Sequence, residues 1–394
     1  MIRSKQIIAL LLLVFSFILN ANAVELSDST KISLLTCAPG KELYSAFGHT
    51  GIRVIDYKQN IDVVFNYGTF DDQQPGFYVN FVKGRMIYSI TYDNFPDFMA
   101  EYIEEKRGVV EQDLRLTNDD KQKVFAYLYN NALPENRNYP YDFFWDNCCT
   151  RPRDIFEKAL GSRLEYKTDT ACGFAQNKTM HDMLRLYVHD RPWVDFGFDL
   201  ILGLPCEVPA TPRNQTFLPD YLAKLFGCAT VDGQPFVTNT RNLLQYGLPV
   251  FIVPLQPVHI TTFLMLLGFF VFFMGRRRQT HYYNFDFFVF LIAGLWGIFF
   301  ICLWAFTTHY SLPKNLNMLW LMPTHLIAAL FLLKKDKPRW LKYYFLFTYV
   351  LMMVLLFGWK HNPQPYNIAF APLIILFAAR AITIFTAQQR NGTA

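Results

Sequence analysis

Charged residues make up only 18% of the 394-residue chain. No stretch gathers the basic ones into a stripe, so the formal net charge of +5 gives no ground for nucleic-acid binding. Residues 24–255 contain no long apolar run, and their alternation of apolar and polar side chains describes a soluble domain. No cysteine follows the N-terminal apolar run, which argues against lipid attachment to a new N-terminal cysteine of this chain. What the chain has in quantity is apolar and aromatic surface. It is 52% hydrophobic, with 39 Phe and 22 Tyr, and the apolar residues concentrate at the two ends, the distribution of a membrane protein.

At the N-terminus Arg3 and Lys5 precede an apolar run over residues 7–19 and then Ala21-Asn22-Ala23, the plan of a secretory signal cleaved after Ala23. The run is short for an uncleaved span. Toward the C-terminus, apolar segments at 258–274, 287–306, 318–333, 343–359 and 368–386 are each near spanning length. An exported middle domain makes the first of these run inward, delivering Arg276, Arg277 and Arg278 to the cytoplasm. The loop with Lys334, Lys335, Lys337, Arg339 and Lys342 then also lies inside, while the outer loops carry only Lys314 and Lys360, as the positive-inside rule requires. The expected organisation is a signal over 1–23, a periplasmic domain over 24–256 and a five-span membrane domain over 257–394. Ionisable residues at membrane depth, His325 and Arg380, are functional candidates, although Arg380 lies near the cytoplasmic end and can snorkel. The outer loop at 308–317 would sit beneath the exported domain. There His309, Lys314, Asn315 and Asn317 are candidate donors to a lipid headgroup, against the alternative of a solvated turn.

Within the exported domain, strands are expected at 51–56, 62–67, 86–92 and 109–116, each rich in β-branched or aromatic residues. Thr117 with Asp120 signals a capped helix running to Ala132, where Leu133-Pro134 ends it. These elements make an α+β domain. Beyond Gly161, frequent Pro and Gly suggest ordered coil and short helix. Six cysteines fall in the exported part, and a Cys206–Cys228 bridge is one candidate among many pairings.

The chemistry concentrates in Asp146-Asn147-Cys148-Cys149-Thr150-Arg151-Pro152-Arg153-Asp154. Ile155, Phe156, Ala159 and Leu160 recur at helical spacing until Gly161, which puts Cys148 at a helix start. Unpaired backbone N–H groups and the positive end of the helix dipole favour a thiolate there, and Arg151 and Arg153 add positive charge; Arg151 is also a candidate substrate contact. The imidazole partner lies about a hundred residues upstream at His49, in Phe47-Gly48-His49-Thr50-Gly51. Structural thiols and a core histidine are the alternative, and a bridged Cys148 would defeat the catalytic reading.

Several motifs together resemble one family. Leu35-Thr36-Cys37-Ala38-Pro39-Gly40, Phe47-Gly48-His49, Asn66-Tyr67-Gly68-Thr69-Phe70, Asp146-Asn147-Cys148 with Thr150-Arg151, Trp193 with Phe196-Gly197, and Phe217-Leu218-Pro219 look like the exported domain of Lnb, the lipoprotein N-acyltransferase family of Bacteroidetes. The outer loop and the spans around it resemble that family's membrane half. The resemblance implies a circularly permuted, papain-like core of the NlpC and lecithin:retinol acyltransferase kind, in which His precedes Cys, followed by an α-helical membrane bundle. It implies an acyl donor that is a membrane phospholipid, an acceptor that is the α-amino group of a diacylated lipoprotein's N-terminal cysteine, and no metal or cofactor. It carries the nucleophile to Cys148, which follows Asn147, and the base to His49. Cys149 departs from the Ser expected after the nucleophile. For the third, orienting group Asn66 is the first choice, with Asp62 the alternative. Two other classes of function remain open at this point: a periplasmic cysteine amidase or peptidase of the cell wall, and a non-enzymatic partner-binding module.

Overall fold

A computed structural model describes residues 25–168 and 170–391. The expected signal over residues 1–23 lies outside them. Seven antiparallel strands form the exported domain's main sheet in the order β10-β5-β1-β2-β3-β4-β6: β1 Lys31–Cys37, β2 His49–Asp56, β3 Ile61–Thr69, β4 Ile87–Asn94, β5 Val109–Leu114, β6 Asn138–Pro140 and β10 Val237–Leu244. A smaller sheet holds β7 Leu164–Tyr166, β8 Ala229–Val231 and β9 Gln234–Pro235. Successive side chains of a strand face opposite sides, and both sides of this sheet are covered. Ile52, Val54, Phe65 and Tyr67 pack with α3 (Asn118–Ala132) and α4 (Thr150–Leu160), while Leu35, Cys37 and Val64 pack with α2 (Phe95–Glu104). A further short helix, α1 (Phe77–Lys83), lies in the β3–β4 connection. The four expected strands and the capped helix are present, the latter with Thr117 and Asp120 forming a reciprocal capping box.

The region beyond Gly161 is more helical than its prolines suggest. It contains α5 (Met180–Val188), α6 (Pro192–Ile201), α7 (Pro212–Gln215) and α8 (Pro219–Gly227). Pro192, Pro212 and Pro219 each occupy the first helical position, where the missing N–H would have had no partner, so they start helices rather than break them. The disulfide joins Cys172 to Cys228, with Cα atoms 5.9 Å apart. Cys206 is not its partner: it is buried in a 3-10 turn at Leu204–Cys206, and its free thiol approaches the Ser311 carbonyl at 3.6 Å.

The membrane half comprises α9 (Pro257–Arg277), α10 (Tyr283–Phe306), α11 (Thr324–Leu332), α12 (Arg339–Phe357) and α13 (Phe370–Asn391). Among the described residues, four of these helices are long and apolar enough to span a bilayer; α11 is short. The apolar segment expected at 318–333 is broken at Pro323 into a 3-10 turn (Leu316–Leu319), a stretch of coil and α11. Non-helical backbone at membrane depth must be buried in protein. Here it lies directly on α10, where a Cβ on Gly297 would overlap the Leu321 carbonyl and the Pro323 nitrogen. Arg380 does not snorkel. It is buried and donates from Nε to Asp286 Oδ1 at 2.6 Å, while His281 holds the other carboxylate oxygen at 2.6 Å. His325 is equally buried, with Nδ1 2.7 Å from the Tyr344 hydroxyl, so both candidates are engaged with neighbouring helices.

The two halves are joined at the end of α6. A helix leaves its last four carbonyls without partners of its own, and here the membrane half supplies them. Asn315 Nδ2 donates to the Leu200 and Ile201 carbonyls at 2.7 and 3.0 Å, Asn317 Nδ2 to those of Asp199 and Leu200 at 2.8 and 3.0 Å, and Gln364 Nε2 to that of Leu202 at 3.0 Å. Asn367 bridges the Asp195 and Asp199 carboxylates. Gly203 N donates to the Ser311 carbonyl at 2.8 Å, and a Cβ at Gly203 would overlap the Leu312 and Pro313 carbonyls. One apolar core runs continuously from Phe47 and Phe144 through α5 and α6 to Trp320 and Phe370. Replacing Gly297 with Leu should therefore lower the stability of the purified protein by about 1–3 kcal/mol through overpacking. Thermal unfolding in detergent measures it; an unchanged midpoint would contradict the buried coil.

Candidate active site

Asn147 builds the turn that presents the nucleophile. Its Oδ1 accepts from the Cys149 and Thr150 N–H groups at 2.8 and 2.9 Å, satisfying donors that open α4. Its Nδ2 donates to the Phe143 and Phe217 carbonyls, both at 2.8 Å, and its own N–H donates to the Thr150 hydroxyl at 2.8 Å. The Asn-x-x-Thr spacing is the sequence trace of this cap. Cys148 sits just before the helix, half-buried, and its own N–H has no acceptor among the described residues. That N–H, rather than the capped groups behind it, is the backbone donor available to an oxyanion.

The sheet brings the other groups to the same place. His49 opens β2, and Gly51, two residues on and on the same face, pairs with Asn66 of β3. His49 Nε2 lies 3.3 Å from Asn66 Oδ1, and Asn66 Nδ2 donates to Asp93 Oδ2 at 3.1 Å. A carboxylate only accepts, which fixes the amide orientation: nitrogen toward Asp93, oxygen toward His49. Nε2 must then carry the hydrogen, leaving Nδ1 for the Cys148 sulfur, with which His49 shares a hydrogen bond. Asp62, the alternative orienting group, is held by both Arg53 Nε and Nη2 at 2.8 Å and does not serve His49.

The two adjacent thiols have opposite characters. The Cys148 thiol is held well below its ordinary value, first by a hydrogen bond from Cys149 and then, against the cost of burial, by the His49 charge, a hydrogen bond from His49 and the Thr50 N–H. Cys149 is driven the other way by burial and by the neighbouring Cys148 charge; its sulfur lies 3.8 Å from that of Cys148 and 3.3 Å from the Thr50 hydroxyl. Burial works against a charged His49, but the Cys148 thiolate and the hydrogen bonds to Cys148 and Asn66 outweigh it, so its pKa is raised. Both shifts run in the direction that favours a thiolate beside a charged imidazole. Cys37, by contrast, is a buried thiol pushed up to about 12 and packed against Tyr102.

The remaining expected site residues fall differently. Arg151 is paired with Asp146 through Nε and Nη2 at 2.5 and 2.8 Å and lies 3.6 Å over the Tyr139 ring, which makes it a brace of the nucleophile loop. Arg153 is buried against Asp154 and Thr216. Asn315 and Asn317 are buried in the joint at α6, so they are engaged with backbone rather than with a headgroup. His309 Nε2 meets the Phe81 carbonyl at 2.8 Å, and Lys314 is exposed, in a left-handed backbone conformation. Asn147, Asp93, Thr50 and Cys149 were not read as site residues from the sequence. Of these only Asn147 left a signal, its spacing to Thr150.

An exported α+β domain that brings Cys148, His49 and Asn66 together is bonded to a helical membrane bundle, which defines a membrane protein with an exported domain. Two family models match the chain: the Lnb N-terminal periplasmic domain over residues 22–186 and the Lnb transmembrane domain over residues 250–391. The chain belongs to the Lnb family, whose domains point to membrane enzymes of lipoprotein processing, with the N-terminal domain in the periplasm. No curated protein and no solved structure matches it.

With the Cys148 pKa depressed, alkylation of Cys148 by iodoacetamide should persist to lower pH than that of an ordinary thiol and fall as pH drops through the lowered pKa. Cys149→Ser, which keeps a donor, should preserve the profile; Cys149→Ala should move it toward alkaline pH. A parent profile that rises only near the ordinary thiol value would remove the thiolate assignment.

Proposed function

We propose that this protein is a lipoprotein N-acyltransferase that works through a Cys148 thioester. The observation that carries the reading is the Cys148–His49–Asn66 constellation, held against the membrane half by the joint at α6. In the first half-reaction the Cys148 thiolate attacks the ester carbonyl of a phospholipid, and the oxyanion is met by the Cys148 N–H. The carbon–oxygen ester bond breaks, His49 gives its Nδ1 proton to the departing alkoxide, and a lysophospholipid leaves. In the second, the free α-amine of a diacylated lipoprotein attacks the thioester and His49 takes a proton from it. The carbon–sulfur bond breaks, leaving an amide and restoring the thiolate. The amide is the more stable product, which favours this direction.

Asn66 and Asp93 orient the imidazole throughout, so that Nδ1 alone faces the sulfur. The membrane half favours transfer over hydrolysis, because both substrates arrive from the bilayer and an acyl chain held in apolar surroundings keeps water from the thioester. A cell-wall amidase would have no use for such a joint.

In cells that depend on this chain, mass spectrometry of lipoprotein N-termini should show an added amide-linked acyl chain. Cys148→Ser should abolish it, and His49→Ala should lower the transfer rate by roughly a hundredfold or more, as loss of a general base does. Both variants should remain folded and inserted. Full N-acylation with Cys148→Ser would overturn the assignment.

A further inference from the structure

The face of the exported domain beside the outer end of α10 is apolar and uncovered. α1 buries none of its side chains: Tyr78, Val79, Phe81 and Val82 are 69%, 56%, 49% and 52% exposed. A short helix of a soluble domain turns such residues onto its sheet, and an uncovered apolar face marks a contact with something else. The backbone shows where this face lies. α10 ends at Phe306, and the next residues are bonded to α1: Thr308 N donates to the Lys83 carbonyl at 2.9 Å, the Thr308 hydroxyl to the Gly84 carbonyl at 2.9 Å, and His309 Nε2 to the Phe81 carbonyl at 2.8 Å. Four apolar side chains thus stand within three residues of the outer end of a membrane span, at the depth where water gives way to lipid. Lys83 and Arg85, at the C-terminal end of α1, are exposed and suit a layer of lipid phosphates.

One aromatic of α1 points the other way. Phe77 stacks on Phe70 with centroids 5.7 Å apart, Phe70 on Tyr88 at 5.1 Å and Tyr88 on Tyr141 at 4.2 Å. That file ends at the nucleophile: a Cβ on Gly68 would lie 3.7 Å from the Tyr141 ring and 3.4 Å from the Cys148 Cβ. On the other flank of the nucleophile loop, Trp145 meets Tyr310 at 6.2 Å.

We propose that α1 is an interfacial helix seated in the outer leaflet, its occupant the lipid surface itself. In this arrangement the Phe77–Phe70–Tyr88–Tyr141 file leads an acyl chain from that leaflet to Cys148; this second part rests on the acyl-transfer reading. The test uses the full chain in phospholipid vesicles. Val79→Trp should add an emission, relative to the parent, that is lost when the vesicles contain phospholipids brominated in their acyl chains. An added emission that brominated lipid leaves unquenched overturns the interfacial placement and gives the face to a protein partner. Val79→Asp with Val82→Asp, both at exposed positions, should slow thioester formation from vesicle phospholipid by about tenfold or more. Alkylation of Cys148 and its acylation by a soluble short-chain p-nitrophenyl ester should stay at the parent rate. A double variant that takes acyl chains from vesicles as fast as the parent overturns the path. If the parent itself forms no thioester with either donor, the acyl-transfer reading fails, while the quenching still decides where α1 lies.

Discussion

The carbonyls that end α6 have no partners in their own helix, and the rest of the molecule depends on where they find them. Asn315, Asn317 and Gln364, all from the outer loops of the membrane half, donate to four successive carbonyls, Asp199 to Leu202. These donors are buried, so removing one leaves a polar group unsatisfied in a dry joint, a loss of about 1–3 kcal/mol each. The joint fixes the exported domain on the bundle. From the other end of the same core, Phe47 packs on Phe198 of α6 two residues before His49. One helix therefore contacts both the outer loops of the membrane half and the segment that leads into His49.

Charge is handled locally at the site. Arg151 and Arg153 are each neutralised by a neighbouring aspartate, so the thiolate is stabilised by hydrogen bonds from Cys149, His49 and the Thr50 N–H together with the imidazolium charge, rather than by a field of free cations. The same logic applies in the bundle, where buried Arg380 meets Asp286 in the first turn of α10.

Much of this was legible in the residues. Strands β2 to β5, rich in β-branched and aromatic residues, the Thr117 cap and the candidate Cys148–His49 pairing each depend on local composition or side-chain chemistry that a sequence displays. β1 is less legible because its only β-branched residues are Ile32 and Thr36 and it has no aromatic; β10 is less legible because its exposed edge reads as polar. Pro192 and Pro212 look like punctuation because a proline at the first helical position cannot be told from a terminator without the chain that follows it in space. The disulfide partner of Cys228, the engagement of Asn315 and Asn317, and the Arg380–Asp286 pair are long-range facts with no local trace. The sequence already puts Asn66 ahead of Asp62 and Cys148 ahead of Cys149; the Arg53–Asp62 pair and the burial of Cys149 supply physical reasons for that order.

The central claim is that acyl transfer passes through a covalent intermediate on one particular sulfur. Intact-mass measurement of the purified full chain, incubated with phospholipid vesicles and no lipoprotein, addresses it most directly. One added acyl mass is expected, located on Cys148 by fragmentation of its peptide and released by neutral hydroxylamine, with lysophospholipid formed in equal amount. Lysophospholipid produced without any acylated protein, or an acyl group mapped to Cys149, would contradict it.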